Sequence, residues 1–171
     1  MNDYQIENFA ASHNNPDLVA FIREWQGNDM FPKEKIDELV GLYNQRQFEE
    51  VLAQIKPLVS LFPKAIILHN IQGASNAALQ RYDAAIDSYK QAIKIKPDYA
   101  EAYNNIGEIL QEKGNLIAAM KIYQENIDQN PKFQNSYYGK GLCLYKLGKI
   151  EESLFYAKNG LKIDPTNLIF F

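Results

Sequence analysis

Very little in this chain equips it for catalysis. Its 171 residues include one cysteine, Cys143, and two histidines, His13 and His69. A single thiol excludes an internal disulfide, and two imidazoles so far apart in sequence offer no metal-ligand spacing. There is no Gly-rich phosphate loop and no paired-histidine motif, so neither a cofactor nor a metal is expected. Basic residues are not in excess either. With 18 Lys and Arg against 21 Asp and Glu, the net charge of −3 lacks the electrostatic footprint of a nucleic-acid binder. The hydrophobic 46% is broken into short stripes, with no apolar run of about 18 residues, and no membrane insertion is expected. Met1-Asn2-Asp3-Tyr4 has no basic start and no apolar core behind it, so no signal peptide is expected and a cytoplasmic setting is.

What the chain does have is a period. Pro63, Pro97, Pro131 and Pro165 stand 34 residues apart. A fixed period of that size means one supersecondary unit used repeatedly, each copy burying its apolar face only against its neighbours. Superimposing residues 32–65, 66–99, 100–133 and 134–167 shows further columns. The eighth place holds Leu39, Gly73, Gly107 and Gly141, and the seventeenth holds Phe48, Tyr82, Leu116 and Ile150. Val51, Ala85, Ala119 and Ser153 fill the twentieth, Ile55, Tyr89, Tyr123 and Ala157 the twenty-fourth, and Leu58, Ala92, Asn126 and Gly160 the twenty-seventh. Columns three, four and seven places apart share one helix face. Each copy therefore reads as two helices, with breaks at Gly114-Asn115 and Gly148-Lys149 and a closing proline that ends the pair. Glycine inside a helix costs about 1 kcal/mol against alanine, so Gly73, Gly107 and Gly141 imply close helix contacts.

A small residue at place 8, an aromatic or aliphatic one at 17, Ala at 20, Tyr at 24, Ala at 27 and Pro at 32 resemble the tetratricopeptide repeat over residues 32–167. The resemblance implies an all-α fold, a right-handed solenoid of antiparallel helix pairs whose first helices line a groove. Such grooves commonly hold a peptide or a partner's helix. The first copy departs from the pattern, with Leu39 and Val51 at small places and Pro57 inside its second helix, where a kink is expected. Asn126 stands at a small apolar place, and a buried Asn needs a partner; Ser136 is the nearest candidate, with Lys140 one turn further on.

Outside the repeats, Asn15-Pro16-Asp17 reads as a helix start followed by Leu18, Val19, Phe21, Ile22 and Trp25. Residues 1–31 are expected to form capping helices, or, through Phe21 and Trp25, a docking surface. Residues 168–171, Leu168 to Phe171, read as the start of a further helix and leave an uncapped edge through which two copies could pair.

Among possible catalytic groups, Glu108 and Glu112 lie four apart on one helix and read first as a solvated face. Cys143 and His69 fall in packing columns. The resemblance instead implies a groove lining at places 2, 5, 6, 9, 12 and 13 of each first helix. Asn70, Asn104, Asn105, Glu108, Tyr138 and Tyr145 are the candidate peptide-binding residues, since amides suit a peptide backbone and tyrosines add contact area. Relatives that clamp a carboxylate tail use Lys and Arg in this groove; here the corresponding places hold Asn70, Ala74, Asn135 and Gly139, with only Asn105 matching, so that clamp is not expected. The expectation is a non-enzymatic module binding a protein or peptide. The alternatives are the N-terminal module of a longer enzyme such as a transferase, or a self-assembling scaffold.

Overall fold

The structure, a computed structural model, describes residues 33–165. The regular structure among them is wholly helical: α1 (Lys33–Asn44), α2 (Phe48–Leu61), α3 (Ile66–Ala78), α4 (Tyr82–Ile95), α5 (Ala100–Glu112), α6 (Leu116–Gln129), α7 (Gln134–Lys146) and α8 (Ile150–Ile163). The capping helices expected over residues 1–31, and the further helix expected to begin at 168, lie outside the described residues.

The four even-numbered helices start at Phe48, Tyr82, Leu116 and Ile150, the four members of one column. What sets those starts is the turn before them. Arg46, Gln80, Gly114 and Gly148, all at place 15, have φ of 61°, 57°, 74° and 76°. Each left-handed residue lets the next backbone N–H reach back to the preceding helix: Gln47 to the Leu42 carbonyl, Arg81 to Asn76, Asn115 to Leu110 and Lys149 to Leu144, at 2.8–3.0 Å. This closure satisfies carbonyls that a helix end otherwise leaves orphaned. At the far end, Pro63, Pro97, Pro131 and Pro165 each follow a helix cap, at Phe62, Lys96, Asn130 and Asp164. Pro57 does not stop α2, which continues across it to Leu61.

The chain divides into two compact units, Met1–Ala65 and Ile66–Phe171. In the first, α1 packs on α2 with Leu39, Val51, Ile55 and Leu58 fully buried. In the second, α3 to α8 form three antiparallel pairs, each second helix also packing on the next first helix. One core lies between α4 and α5, where Ala85, Tyr89 and Ala92 meet Ala102, Ile106 and Ile109. Another joins Ala119 and Tyr123 of α6 to Cys143 of α7.

The small and large columns interlock within these pairs. A Cβ on Gly73 would stand 2.6 Å from the Tyr89 ring, and one on Gly107 2.5 Å from the Tyr123 ring. Each glycine thus opens the space that the tyrosine of its own pair fills. In the last pair Ala157 replaces the tyrosine, and the backbones close in: a Cβ on Gly141 would lie 3.4 Å from the Ser153 carbonyl.

Asn126, fully buried, has its amide satisfied on both sides. Nδ2 donates to Ser136 Oγ (2.6 Å) and to the Ala100 carbonyl (2.9 Å), while Oδ1 accepts from Asn130 (2.9 Å). One side chain therefore ties α6 to both α5 and α7. Lys140 turns elsewhere, donating to Gln124 and to the Tyr156 hydroxyl.

Candidate functional site

The first helices of the last two described pairs, α5 and α7, are in contact and border an open hollow of about 260 Å³ lined by Glu108, Gln111, Glu112 and Lys146. Two exposed carboxylates stand on the α5 wall and one ammonium on the α7 wall.

Each carboxylate is held by a neighbour. Asn104, one turn before Glu108 and only 8% exposed, donates its amide to Glu108 Oε1 at 2.8 Å. Glu112 faces the Tyr82 hydroxyl, whose pKa it holds above the usual phenol value. Beside it Lys113 pairs with Asp83 at 2.6 Å and lowers the Asp83 carboxyl, an exposed contact of little energetic worth.

Gln111 forms the floor. Its Nε2 donates to the Tyr123 hydroxyl (2.9 Å) and to the Gly139 carbonyl (3.2 Å), so one amide links α5, α6 and α7. The Tyr123 ring passes beneath, bounded by Gly107 on one side and Gly139 on the other. Burial raises the Tyr123 hydroxyl far above its ordinary value, and it stays protonated at neutral pH. Burial likewise pushes the Cys143 thiol up to about 11, which leaves it a packing group rather than a nucleophile.

The residues proposed from sequence separate into four groups. Glu108 lines the hollow, and Asn104 lies beneath it as the donor that orients its carboxylate. Tyr145, on α7 next to Lys146, is 61% exposed. Asn105 and Asn70 are partly buried on α5 and α3; among the described residues Asn70 Oδ1 accepts no hydrogen bond. Tyr138 is the correction. It is 5% exposed, its ring lies against Gly160 and its hydroxyl accepts from Gln134 at 2.8 Å, so it packs α7 on α8 rather than lining a groove. The reason is a reversal of the usual interlock: in the last pair the first helix supplies the ring and the second supplies the glycine.

Lys146 was not among the residues named from the sequence, although it stands at place 13 of its first helix, one of the lining places, as Glu112 does on α5. His69 is buried on α3. Among the described residues no group of three or more His, Cys, Asp or Glu could hold a metal, and no helix is long and apolar enough to cross a membrane.

Comparison with known proteins gives matches over the same stretch. Residues 75–114 match the TPR repeat family, and residues 100–133 and 135–167 match tetratricopeptide repeat families. Protein STIP1 homolog of Dictyostelium discoideum is 32% identical over 96 residues, 56% of this chain but 17% of that protein, so the match spans about a sixth of the relative's length. The crystal structure of MamA superposes with a TM-score of 0.69 at 20% identity, covering 97% of this chain and 96% of that one. The first TPR of Spaghetti (RPAP3), solved bound to the HSP90 peptide SRMEEVD, has a TM-score of 0.56 at 19% identity, covering 60% of this chain and 82% of that chain. These likenesses, the four-fold register and the glycine–tyrosine interlock agree: the chain belongs to the tetratricopeptide repeat family and is an all-α solenoid that serves as a protein-interaction module.

Proposed function

We propose that the chain is a non-enzymatic binding module that holds an extended protein segment along the first-helix face, centred on the hollow between α5 and α7, and that this segment carries a basic side chain. The observation that carries this reading is the pair of oriented, exposed carboxylates, Glu108 and Glu112, four residues apart on α5. A lysine or arginine entering the hollow meets both. Asn70, Asn105 and Tyr145 supply amide and aromatic contacts to the rest of the segment, and Lys146 is placed to meet an acidic group further along it.

A carboxylate-terminated tail such as the HSP90 peptide fits poorly. The places that would need cations hold Asn70, Ala74, Asn135 and Gly139, and at Gly139 there is no room for one, because the Tyr123 ring occupies the space of a side chain. Glu108 and Glu112, which outnumber the single ammonium of Lys146 in the hollow, would also oppose such a tail, and like-charge juxtaposition is a strong element of specificity.

Selection of a displayed random-peptide library on the full chain tests this. The expected outcome is enrichment of segments containing Lys or Arg, lost when Glu108 and Glu112 are both changed to Gln. Enrichment of acidic C-terminal sequences would overturn it.

A further inference from the structure

In the second unit α4 and α6 each present places 17 and 21 to the first helix that follows. Tyr82 and Ile86 of α4 are covered by the core shared with α5, and Leu116 and Met120 of α6 by the core shared with Cys143 of α7. On α8 the same two places hold Ile150 and Leu154, and these are 48% and 46% exposed. Phe155, at a place where α4 has Asp87 and α6 has Lys121, is 61% exposed. A face that is partly covered twice elsewhere in the unit is more exposed on α8, the last described helix, and it carries an extra aromatic.

We propose that this face of α8 pairs with the same face of a second copy of the chain, the two helices running antiparallel about a two-fold axis. The face is complementary to itself, as a second copy requires. Going along α8, Glu151 precedes the apolar centre of Leu154 and Phe155, and Lys158 follows it. Glu151 and Lys158 are equally far from the midpoint of Leu154 and Phe155, about 5 Å each way at 1.5 Å per residue, and both lie within roughly 60° of Leu154 around the helix. A two-fold axis through that midpoint sets Glu151 of one copy opposite Lys158 of the partner subunit, and by symmetry the pair occurs twice. Isologous interfaces require this match of a patch with itself. Glu151 and Lys158 are both exposed and so are available to pair.

The test uses the full 171-residue chain in sedimentation equilibrium, with a thermal melt on each variant as a folding control. The wild-type chain is expected to show a concentration-dependent dimer. Leu154→Glu should lower the association constant by about tenfold or more, since it removes a central contact and sets two carboxylates face to face. Glu151→Lys and Lys158→Glu should each weaken self-association several-fold, the first by opposing lysines and the second by opposing carboxylates. Mixing those two variants should produce a heterodimer in which both pairs are again complementary, and the double variant in one chain should recover the homodimer. A wild-type chain that stays monomeric at the highest concentrations overturns the proposal. So does a dimer indifferent to Leu154→Glu, or single-charge variants that associate no better with each other than with themselves.

Discussion

The ring of Tyr123 occupies the space in which Gly139, sixteen residues later on the next helix, would carry a side chain. Two consequences come from that single contact. It fixes how closely the last two pairs approach, and it removes from the first-helix face a place where a binding cation could otherwise stand. Gly139→Ala should therefore cost about 1–3 kcal/mol through overpacking, seen as a lower melting temperature. Pairing it with Tyr123→Leu should cost less than the two single changes summed, because the smaller residue frees the space.

Asn126 carries a fully buried polar junction between α5, α6 and α7. Asn126→Ala leaves the Ser136 hydroxyl and the Ala100 carbonyl short of a partner in a buried site, at a cost of about 1–3 kcal/mol. Adding Ser136→Ala to that variant should be nearly free, whereas Ser136→Ala in the wild type should not. A denaturant double-mutant cycle reads this coupling.

Place 15 predicts changes of opposite sign. Gln80, at a φ of 57°, adopts a conformation that costs a side-chain-bearing residue about 1 kcal/mol, so Gln80→Gly should raise stability by roughly that amount. Gly114→Ala, at a φ of 74°, should lower it by about as much. Equilibrium unfolding of both variants checks the sign as well as the size.

Much of this architecture was legible in the sequence because the period is undisturbed: columns of small and large residues three, four and seven places apart fix which faces meet. The turn at Gln80 and Arg46 was not legible, since neither residue favours a left-handed backbone and only their register with Gly114 and Gly148 points to it. Tyr138 misled for a related reason. Its column holds Asn70 and Asn104, so position alone placed it in the lining, whereas its ring follows Gly160, which opens space on α8 just where Ala157 has given up the usual tyrosine. Ser136 could be named as the partner of Asn126 because both lie on facing helices at a known register. The hold of Asn104 on Glu108 follows from i, i+4 spacing, yet its consequence, an oriented carboxylate at the mouth of a hollow, needed the neighbouring helix to be seen.

Raising the pH should destabilise the fold through Cys143. The folded thiol is pushed up to about 11, whereas an unfolded thiol titrates near about 8.5. The unfolded chain thus loses its proton first. The contribution of the buried thiol is intact below about pH 8.5 and is lost as the pH rises toward 11. Cys143→Ala should flatten that alkaline limb, and thiol labelling of the native protein near pH 8 should proceed only as fast as the chain opens.

Amide chemical-shift mapping of the full chain with a Lys-containing peptide from the library selection reads directly whether a basic segment binds between α5 and α7. Shifts are expected to concentrate on Glu108, Gln111, Glu112 and Lys146, with affinity falling as salt is raised and largely lost in the Glu108→Gln, Glu112→Gln variant. Shifts centred on α8 or on the outer faces of α4 and α6, with the double variant binding as tightly as the wild type, would contradict it.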